Sequence, residues 1–332
     1  MPTDTITNDA QTATQLTEGY GRITNELGKA IIGQREAIDQ ILVALMAGGH
    51  CLLTGAPGLA KTLLVNSIAK LFDLKFSRIQ FTPDLMPADI TGTEVLSETD
   101  TGRRMSFVPG PVFANIVLAD EINRTPPKTQ AALLESMQEY QVTAAGERHA
   151  LDRPFFVLAT QNPIEMEGTY PLPEAQLDRF MFNVVIDYLP EDDEVAVVTQ
   201  TTGASSDPIE ALFNGEDVMR FNDLVRKVPI AEDLTRYCVR LAAASRPHRE
   251  GAPEFVNNWV SWGAGLRAAQ FLSLGAKARA LLEGRAHVTT EDIQSLAAPV
   301  LRHRVLVNYR AEAEGISAEG IIEKLIEEVP AP

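Results

Sequence analysis

The stretch Gly55-Ala56-Pro57-Gly58-Leu59-Ala60-Lys61-Thr62 decides the fold of this 332-residue chain. An apolar run, His50 to Leu53, precedes it and reads as a buried strand, and Thr62 to Phe72 follows it with the apolar spacing of a helix. A glycine-rich turn between a strand and a helix offers successive backbone N–H groups and the positive end of the helix to a phosphate. Lys61 and Thr62 stand where a nucleoside triphosphate needs a cation for its β and γ oxygens and a hydroxyl for Mg²⁺. The eight residues therefore predict a triphosphate-binding loop.

Ala60 is the one departure from the usual pattern, which has glycine at this place. A methyl group is tolerable there if the backbone φ angle is negative, because a small side chain still lets the backbone approach a phosphate. The bland interpretation of the stretch is a Gly/Pro turn that happens to precede Lys-Thr. The strand before it and the helix after it argue against that interpretation.

Two more apolar runs end in polar side chains of the kind that phosphate chemistry needs. Ile116 to Ala119 ends at Asp120 and Glu121, and Phe155 to Thr160 is followed by Asn162. Because the carboxyl ends of parallel strands meet at one edge of a sheet, we expect these side chains beside the loop. Asp120 would then hold the water shell of Mg²⁺, Glu121 would orient or deprotonate the attacking water, and Asn162 would reach the γ-phosphate or that water. Each has a structural alternative, namely an acidic turn or an Asn-Pro turn initiator.

The arrangement of the apolar runs predicts an α/β fold. Phe182 to Ile186 is a further run of this kind, and Phe76 to Phe81 reads as another strand. Helical segments such as Ala30 to Gly48 and Thr129 to Glu139 lie between the strands. Continuous apolar strands that alternate with helices indicate a parallel sheet covered on both faces. We therefore assign residues 1–190 to an α/β domain.

The rest of the chain adds two insertions and a second domain. Residues 82–111 are rich in Pro, Gly, Asp and Thr and too long for an ordinary connection, and residues 140–152 read as a small hairpin. After a linker-like segment, Thr201 to Asp207, the chain has helical spacing and no convincing strand, which predicts a helical domain at 208–332. Thr289, with Asp292 three residues later, is typical of a helix start in this domain.

Composition and charge exclude several classes of protein. With 45% apolar and 22% charged residues, the chain is globular rather than disordered. It carries 29 Lys and Arg against 45 Asp and Glu, a formal charge of −16, and no basic patch, which argues against binding to nucleic acid or to an anionic membrane. The five histidines lack metal-ligand spacing, so we expect no structural zinc.

Two further features lead us to expect a protein that is not exported. The two cysteines, Cys51 and Cys238, both lie in apolar runs, which predicts buried thiols in a reducing, cytoplasmic setting. The segment Met1 to Gln15 is polar and does not read as a signal peptide. The uncharged stretch between Gln40 and Lys61 is interrupted by glycines and reads as a helix followed by a strand, not as a membrane span.

Taken together, these segments resemble the MoxR family of AAA+ ATPases over nearly the whole chain. The resemblance rests on five motifs: Gly55 to Thr62 as Walker A, Leu118 to Arg124 as Walker B, Ala159 to Pro163 as sensor 1, and the segments Gln80 to Asp89 and Pro173 to Phe180. It implies a five-stranded αβα core with a C-terminal α-helical lid, and it makes residues 82–111 the insert within helix 2 and residues 140–152 the hairpin before sensor 1. It also implies ATP and Mg as cofactors, with Thr62 and Asp120 holding the metal.

The resemblance assigns roles to four further positions. Arg179 matches the arginine finger of a neighbouring subunit, with a surface ion pair to Asp178 as its alternative and Arg124 as the next candidate for the finger. Arg267 matches sensor 2, although the family more often has Ser-Pro-Arg where this chain has Gly-Leu-Arg, and whether it acts in cis or in trans stays open. Gly33 and Gln34 resemble the adenine-side motif, although a helix start would look the same.

The family also implies an assembly and a task. Such proteins form rings, usually hexamers, that remodel or mature client protein complexes or insert metal cofactors, often beside a partner with a von Willebrand factor A domain. The alternatives are the motor subunit of a metal chelatase, a helicase-related nucleic-acid motor and a nucleotide-gated scaffold. The charge of the first insert argues against the nucleic-acid motor, whose hairpins should be basic. The insert has five carboxylates and only two arginines: Asp84, Asp89, Glu94, Glu98 and Asp100 against Arg103 and Arg104.

Overall fold

A computed structural model describes residues 2–99, 102–144, 146–162, 168–203 and 208–332. The strands are β1 (Cys51–Thr54), β2 (Phe76–Gln80), β3 (Gly92–Thr99), β4 (Gly102–Pro109), β5 (Ile116–Asp120), β6 (Gln141–Ala144), β7 (Glu147–Ala150), β8 (Phe156–Gln161), β9 (Phe182–Val185), β10 (Val260–Trp262) and β11 (Leu306–Val307). The first seven helices are α1 (Pro2–Gly28), α2 (Arg35–Ala47), α3 (Lys61–Leu71), α4 (Pro87–Thr91), α5 (Pro127–Glu139), α6 (Glu174–Leu177) and α7 (Glu191–Thr202). The later helices are α8 (Gly215–Lys227), α9 (Glu232–Ala244), α10 (Glu254–Trp259), α11 (Leu266–Leu282), α12 (Thr290–Ser295), α13 (Ala297–Leu301), α14 (Tyr309–Ala313) and α15 (Ala318–Glu328).

Five strands form the central sheet in the order β2-β5-β8-β1-β9, and every neighbouring pair is parallel. This confirms the predicted fold class. The sheet places β8 between β5 and β1, so the loop after β1 and the carboxylates after β5 flank the end of β8. The strand order therefore brings the predicted site residues to one edge.

Both faces of the sheet are buried, as continuous apolar strands require. Alternate residues along the strands belong to two different clusters: Leu118 and Leu158 join the cluster on one face, and Val117 and Val157 join the cluster on the other. The first cluster continues into the helices after residue 208, since Leu272 of α11 and Leu325 of α15 belong to it. The C-terminal helices thus pack onto the core as a lid. No helix in the described part of the chain combines the length and the apolar character that crossing a membrane requires.

The two predicted insertions are antiparallel hairpins. In residues 82–111, the short helix α4 leads into β3 and β4, which pair from Gly92 opposite Pro109 onward. In residues 140–152, β6 pairs with β7. The ring of His149 stacks on that of Phe107 with the centroids 3.9 Å apart, so the two insertions contact each other.

The polar N-terminal segment, for which the sequence predicted no element, is part of the 27-residue helix α1, on which Leu16, Ile23 and Leu27 form a buried apolar stripe. Two expectations about secondary structure were wrong. The helix expected from Ala30 begins only at Arg35, because Gly33 and Gln34 both have positive φ angles. The lid does contain strands, since β10 and β11 form a two-stranded antiparallel sheet.

Candidate functional site

The loop between β1 and α3 has the shape of a phosphate cradle. A Cβ atom on Gly55 would lie 2.2 Å from the carbonyl oxygen of Ile186, so only glycine fits there. Gly58 has a φ of +85°, and a Cβ atom there would meet open space. The backbone N–H groups of the first turn of α3 have no acceptors within the helix. The loop therefore leaves main-chain donors and room on its open side.

Ala60 adopts the left-handed conformation, with φ at 53° and ψ at 24°. The condition of a negative φ angle is not met, because the loop must turn at this residue to start α3, for which Ala60 is the N-cap. The left-handed conformation costs a residue with a Cβ about 1 kcal/mol. Ala60 thus stores strain in the loop where glycine would store none.

The close approach at Gly55 gives a stability prediction. We expect Gly55→Ala to lower the free energy of unfolding by about 1–3 kcal/mol, because the added methyl group would overlap the backbone of Ile186. Chemical denaturation followed by circular dichroism measures the change. The matched control is Gly21→Ala within α1, where a Cβ atom has no neighbour within 4 Å and alanine should stabilise the helix by about 0.5–1 kcal/mol. Equal stability of the two variants would contradict the close packing of the loop.

Lys61 and Thr62 begin α3, so both side chains belong to its first turn. The ammonium group of Lys61 donates a hydrogen bond to the carbonyl oxygen of Gly55, which closes the loop on itself. Burial lowers the pKa of Lys61, and the carboxylates of Asp120 and Glu121 oppose that shift. The lysine therefore lies within electrostatic reach of both acidic residues.

Asp120 and Glu121 are held at the end of β5 by the neighbouring strand. The hydroxyl of Thr160 on β8 donates to Oδ1 of Asp120 at 2.7 Å and accepts from the backbone N–H of Glu121 at 2.8 Å. Glu121 itself has a φ of 57°, which turns the chain sharply after the strand. One hydroxyl thus holds the carboxylate of Asp120 and the backbone of Glu121.

Two residues of β2 complete this edge of the site. Arg78 donates to Oδ2 of Asp120 at 2.6 Å, and Gln80 donates to Oε2 of Glu121 at 2.9 Å. Arg124 pairs with the same Oε2 at 3.0 Å. Each carboxylate of the pair therefore has a cationic or amide partner.

Sequence reasoning did not single out Arg78, and it included Gln80 and Thr160 only as members of longer family motifs. Arg78 and Gln80 alternate along β2 and so share a face of that strand. This pattern was visible in the sequence, but its meaning depended on β2 being the neighbour of β5. Thr160 lies within the sensor 1 motif and carried no assignment of its own.

Asn162 follows β8 and is buried, with 7% of its surface exposed. Because β8 lies between β1 and β5, Asn162 is placed between the phosphate loop and the carboxylates. This is the position from which its amide could reach a γ-phosphate. The proline that follows, and residues 164–167, lie outside the described residues.

A cavity of about 600 Å³ opens beside the loop, between α3, α7 and the segment before α2. Its walls are mostly apolar and include Ile32, Leu59, Leu63, Val197 and Val198. An apolar cavity next to a phosphate-binding loop suits the flat, weakly polar base of a nucleotide.

Of the two residues predicted to form the adenine-side motif, only Gln34 lines this cavity. Gln34 lines it and donates from Nε2 to the carbonyl oxygen of Asp187 at 2.6 Å. Gly33 is not among the lining residues of this cavity; it makes the turn before α2, and a Cβ atom on it would lie 2.5 Å from Leu189. Both residues also form the helix start that was the alternative interpretation.

Arg179 lies on the segment between α6 and β9, and Arg267 lies on the first turn of α11 and pairs with Asp178, the residue before Arg179. Arg267 pairs with Oδ2 of Asp178 at 3.1 Å, and Arg179 donates from Nη1 to the carbonyl oxygen of Leu134 at 2.5 Å. Both Asp178 and Arg179 belong to the described residues, and the alternative ion pair between them is not formed: Asp178 pairs with Arg267 and Arg304. Within the described ranges, none of the contacts of either arginine involves the phosphate loop.

The lid helix α11, which carries Arg267, has a regular start. Gly265 is the N-cap of α11, and Leu266 and Arg267 are its first residues. The departure from Ser-Pro-Arg therefore leaves the helix start intact.

The residues at the loop fit a nucleoside triphosphate with a magnesium ion. The loop has main-chain donors and open space at Gly58, and Lys61 supplies a cation. The hydroxyl of Thr62 and the carboxylate of Asp120 are oxygen donors, which Mg²⁺ prefers. Where the structure describes the chain, no separate group of His, Cys, Asp and Glu could hold a metal ion.

Comparison with known proteins gives a consistent result. Residues 50–182 match the ATPase family associated with various cellular activities (AAA), and residues 256–325 match the AAA lid domain. Chaperone MoxR1 of Mycobacterium tuberculosis is 40% identical over 308 residues, which cover 92% of this chain and 81% of that protein. Protein MoxR of Methylorubrum extorquens is 30% identical over 334 residues, covering 95% and 96%. A crystal structure of a protein from Cytophaga hutchinsonii superposes with a TM-score of 0.91 at 42% identity, covering 98% of this chain and 99% of that one.

Proposed function

The chain belongs to the MoxR family of AAA ATPases, and we propose that it hydrolyses ATP with Mg²⁺ in a ring of identical subunits to remodel client proteins in the manner of a chaperone. The observation that carries the proposal is the meeting of four groups at the carboxyl edge of one sheet: the loop with Lys61, the pair Asp120 and Glu121, and Asn162. Each supplies one requirement of phosphoryl transfer to water.

The roles within one subunit follow from these positions. The loop N–H groups and Lys61 would bind the β- and γ-phosphates, and the apolar cavity beside Leu59 would take the adenine. Thr62 and Asp120 would hold Mg²⁺, which when bound withdraws electron density from the phosphate oxygens. Glu121 would accept the proton of the attacking water, and Asn162 would orient that water.

The roles between subunits rest on the two arginines. Arg179 has no carboxylate partner among the described residues, and Arg267 is held beside it through Asp178. Since their contacts do not involve the phosphate loop of their own chain, we propose that both face the site of the neighbouring subunit. Arg124 pairs with Glu121 of its own chain and is the weaker candidate for the finger.

The client would be engaged by the hairpin of β3 and β4. Four of its apolar side chains are between 44% and 54% exposed, namely Val95, Leu96, Met105 and Val108. Exposed apolar side chains on a hairpin suit contact with apolar segments of a protein. The contact of His149 with Phe107 would transmit motion between the two hairpins. A partner with a von Willebrand factor A domain belongs to the same proposal.

Lys61→Ala tests the nucleotide site. We expect it to weaken ATP binding by about 10²-fold, so that little ATP is bound at a concentration that just saturates the unchanged chain, because a hydrogen bond to a charged group is worth about 1.5–3 kcal/mol. Fluorescent ATP titration gives the Kd, and circular dichroism checks the fold. The control is Lys70→Ala, on the last turn of the same helix, which should bind ATP normally. Normal ATP affinity in a folded Lys61→Ala variant would refute the assignment of the loop.

A further inference from the structure

Arg304 joins the lid to the segment that carries Arg179. It follows α13, and its side chain is 2% exposed. Its guanidinium donates from Nε to Oδ1 of Asp178 at 2.7 Å, and from Nη2 to the carbonyl oxygens of Asp178 at 2.9 Å and Phe180 at 2.7 Å. Nη1 donates to the carbonyl oxygen of Val300 at 2.5 Å. One side chain thus binds the backbone on both sides of Arg179.

The carboxylate of Asp178 connects this contact to the second arginine. Its Oδ1 accepts from Arg304, and its Oδ2 accepts from Arg267 at 3.1 Å. Arg267 therefore depends on Arg304 through Asp178, and Arg179 depends on it through the backbone. Both arginines are placed by the same buried group.

The chemistry of the contact requires a guanidinium. Burial lowers the pKa of Arg304 to about 10, and Asp178 opposes that shift, so the side chain stays protonated at neutral pH. A buried charge is tolerated only when it is paired and hydrogen-bonded. The planar fork of arginine reaches several acceptors in different directions, whereas the ammonium group of lysine is a single point.

We propose that Arg304 is a positioning residue, which directs Arg179 and Arg267 toward the ATP of the neighbouring subunit and so couples the lid of one subunit to hydrolysis in the next. The inference rests on the proposed action of these two arginines in trans. The new element is that a residue of the lid, Arg304, determines the position of Arg179.

The first experiment measures ATP turnover and ATP binding of the full chain with Arg304→Gln. We expect kcat to fall by about 10²-fold, because small misplacements of a catalytic group have effects of this size, while ATP affinity stays unchanged. Arg304→Lys keeps the buried charge opposite Asp178 and so favours folding, but it loses the fork; it should show the same loss of kcat. A folded Arg304→Lys with full kcat would overturn the proposal.

The matched control is Arg302→Gln. Arg302 also crosses from the lid to the core, since it donates to the carbonyl oxygen of Asn183 at 2.6 Å and pairs with Glu319 at 3.1 Å. It does not contact residues 178–181 in the described structure. We expect the kcat of Arg302→Gln to stay within a few-fold of that of the unchanged chain. A loss equal to that of Arg304→Gln would mean that Arg304 acts only as one of several contacts between the lid and the core, and it would overturn the proposal.

Mixed assemblies identify which site loses activity. Arg304→Gln mixed with Lys61→Ala should regain turnover, because the first subunit keeps its own ATP site and the second supplies a correctly placed Arg179. Arg304→Gln mixed with Arg179→Ala should regain none, since neither subunit offers an intact finger. The same response in both mixtures would overturn the proposal. Recovery in the mixture of Arg179→Ala with Lys61→Ala tests action in trans separately, so failure of the proposed function is distinguishable from failure of this inference.

Discussion

Glu121→Gln is expected to bind ATP with unchanged affinity and to lose about 10²–10⁴-fold in kcat, the range that general base catalysis contributes. The substituted amide has nearly the same shape and can still accept a hydrogen bond from Gln80, so the site should keep its structure. It cannot accept a proton from water, and the base is therefore lost. Single-turnover hydrolysis with a radiolabelled γ-phosphate, beside an ATP titration, separates the chemical step from binding.

The control for this variant is Glu139→Gln, which makes the same chemical change at the exposed end of α5. It should leave both kcat and Kd unchanged. Near-normal turnover in Glu121→Gln would assign the base to another group. Loss of ATP binding would instead mean that Glu121 supports the site structurally through Gln80 and Arg124.

The central sheet and most of this site were predictable from the sequence because their signals are local. A strand buried on both faces must be apolar throughout, so β1, β5 and β8 appeared as continuous apolar runs. The loop was predictable because backbone binding of phosphate demands glycine at positions such as Gly55, and Lys61 and Thr62 follow at a fixed spacing. These constraints act within a few residues.

The features that were not predicted depend on contacts between distant segments. Helix α1 is stabilised by packing, as at Gly19, where a Cβ atom would lie 2.3 Å from the ring of Phe213, and its Thr-rich sequence alone gives a weak helical signal. The strands β10 and β11 have three and two residues and pair across the lid. Arg78 and Arg304 acquire their roles from Asp120 and Asp178, which lie 42 and 126 residues away in the chain. No periodicity in the sequence encodes such pairs.

Arg179→Ala is expected to leave ATP binding by the isolated subunit unchanged and to lower turnover of the assembly by about 10³–10⁵-fold, the scale of an arginine finger. The reason is that the guanidinium would stabilise the charge that develops on the γ-phosphate in the transition state, which ground-state binding does not require. ATP titration of the subunit and steady-state hydrolysis by the assembly measure the two quantities. Arg236→Ala, which removes an exposed arginine of the lid paired only with Glu232 among the described residues, is the control and should change neither.

Mixing Arg179→Ala with Lys61→Ala decides whether the finger acts in trans. Each variant alone lacks one half of every site, but an interface between the ATP site of the first and the Arg179 of the second is complete. If equal amounts of the two variants are distributed at random around a ring with head-to-tail contacts, about a quarter of the interfaces are complete. Turnover should then recover to about a quarter of that of the unchanged assembly. Differently tagged subunits purified together establish co-assembly. A co-assembled mixture without recovered activity would mean that Arg179 acts within its own subunit or only through its contact with Leu134. Arg124 would then be the next residue to test in the same way, although its ion pair with Glu121 places it at the ATP site of its own subunit.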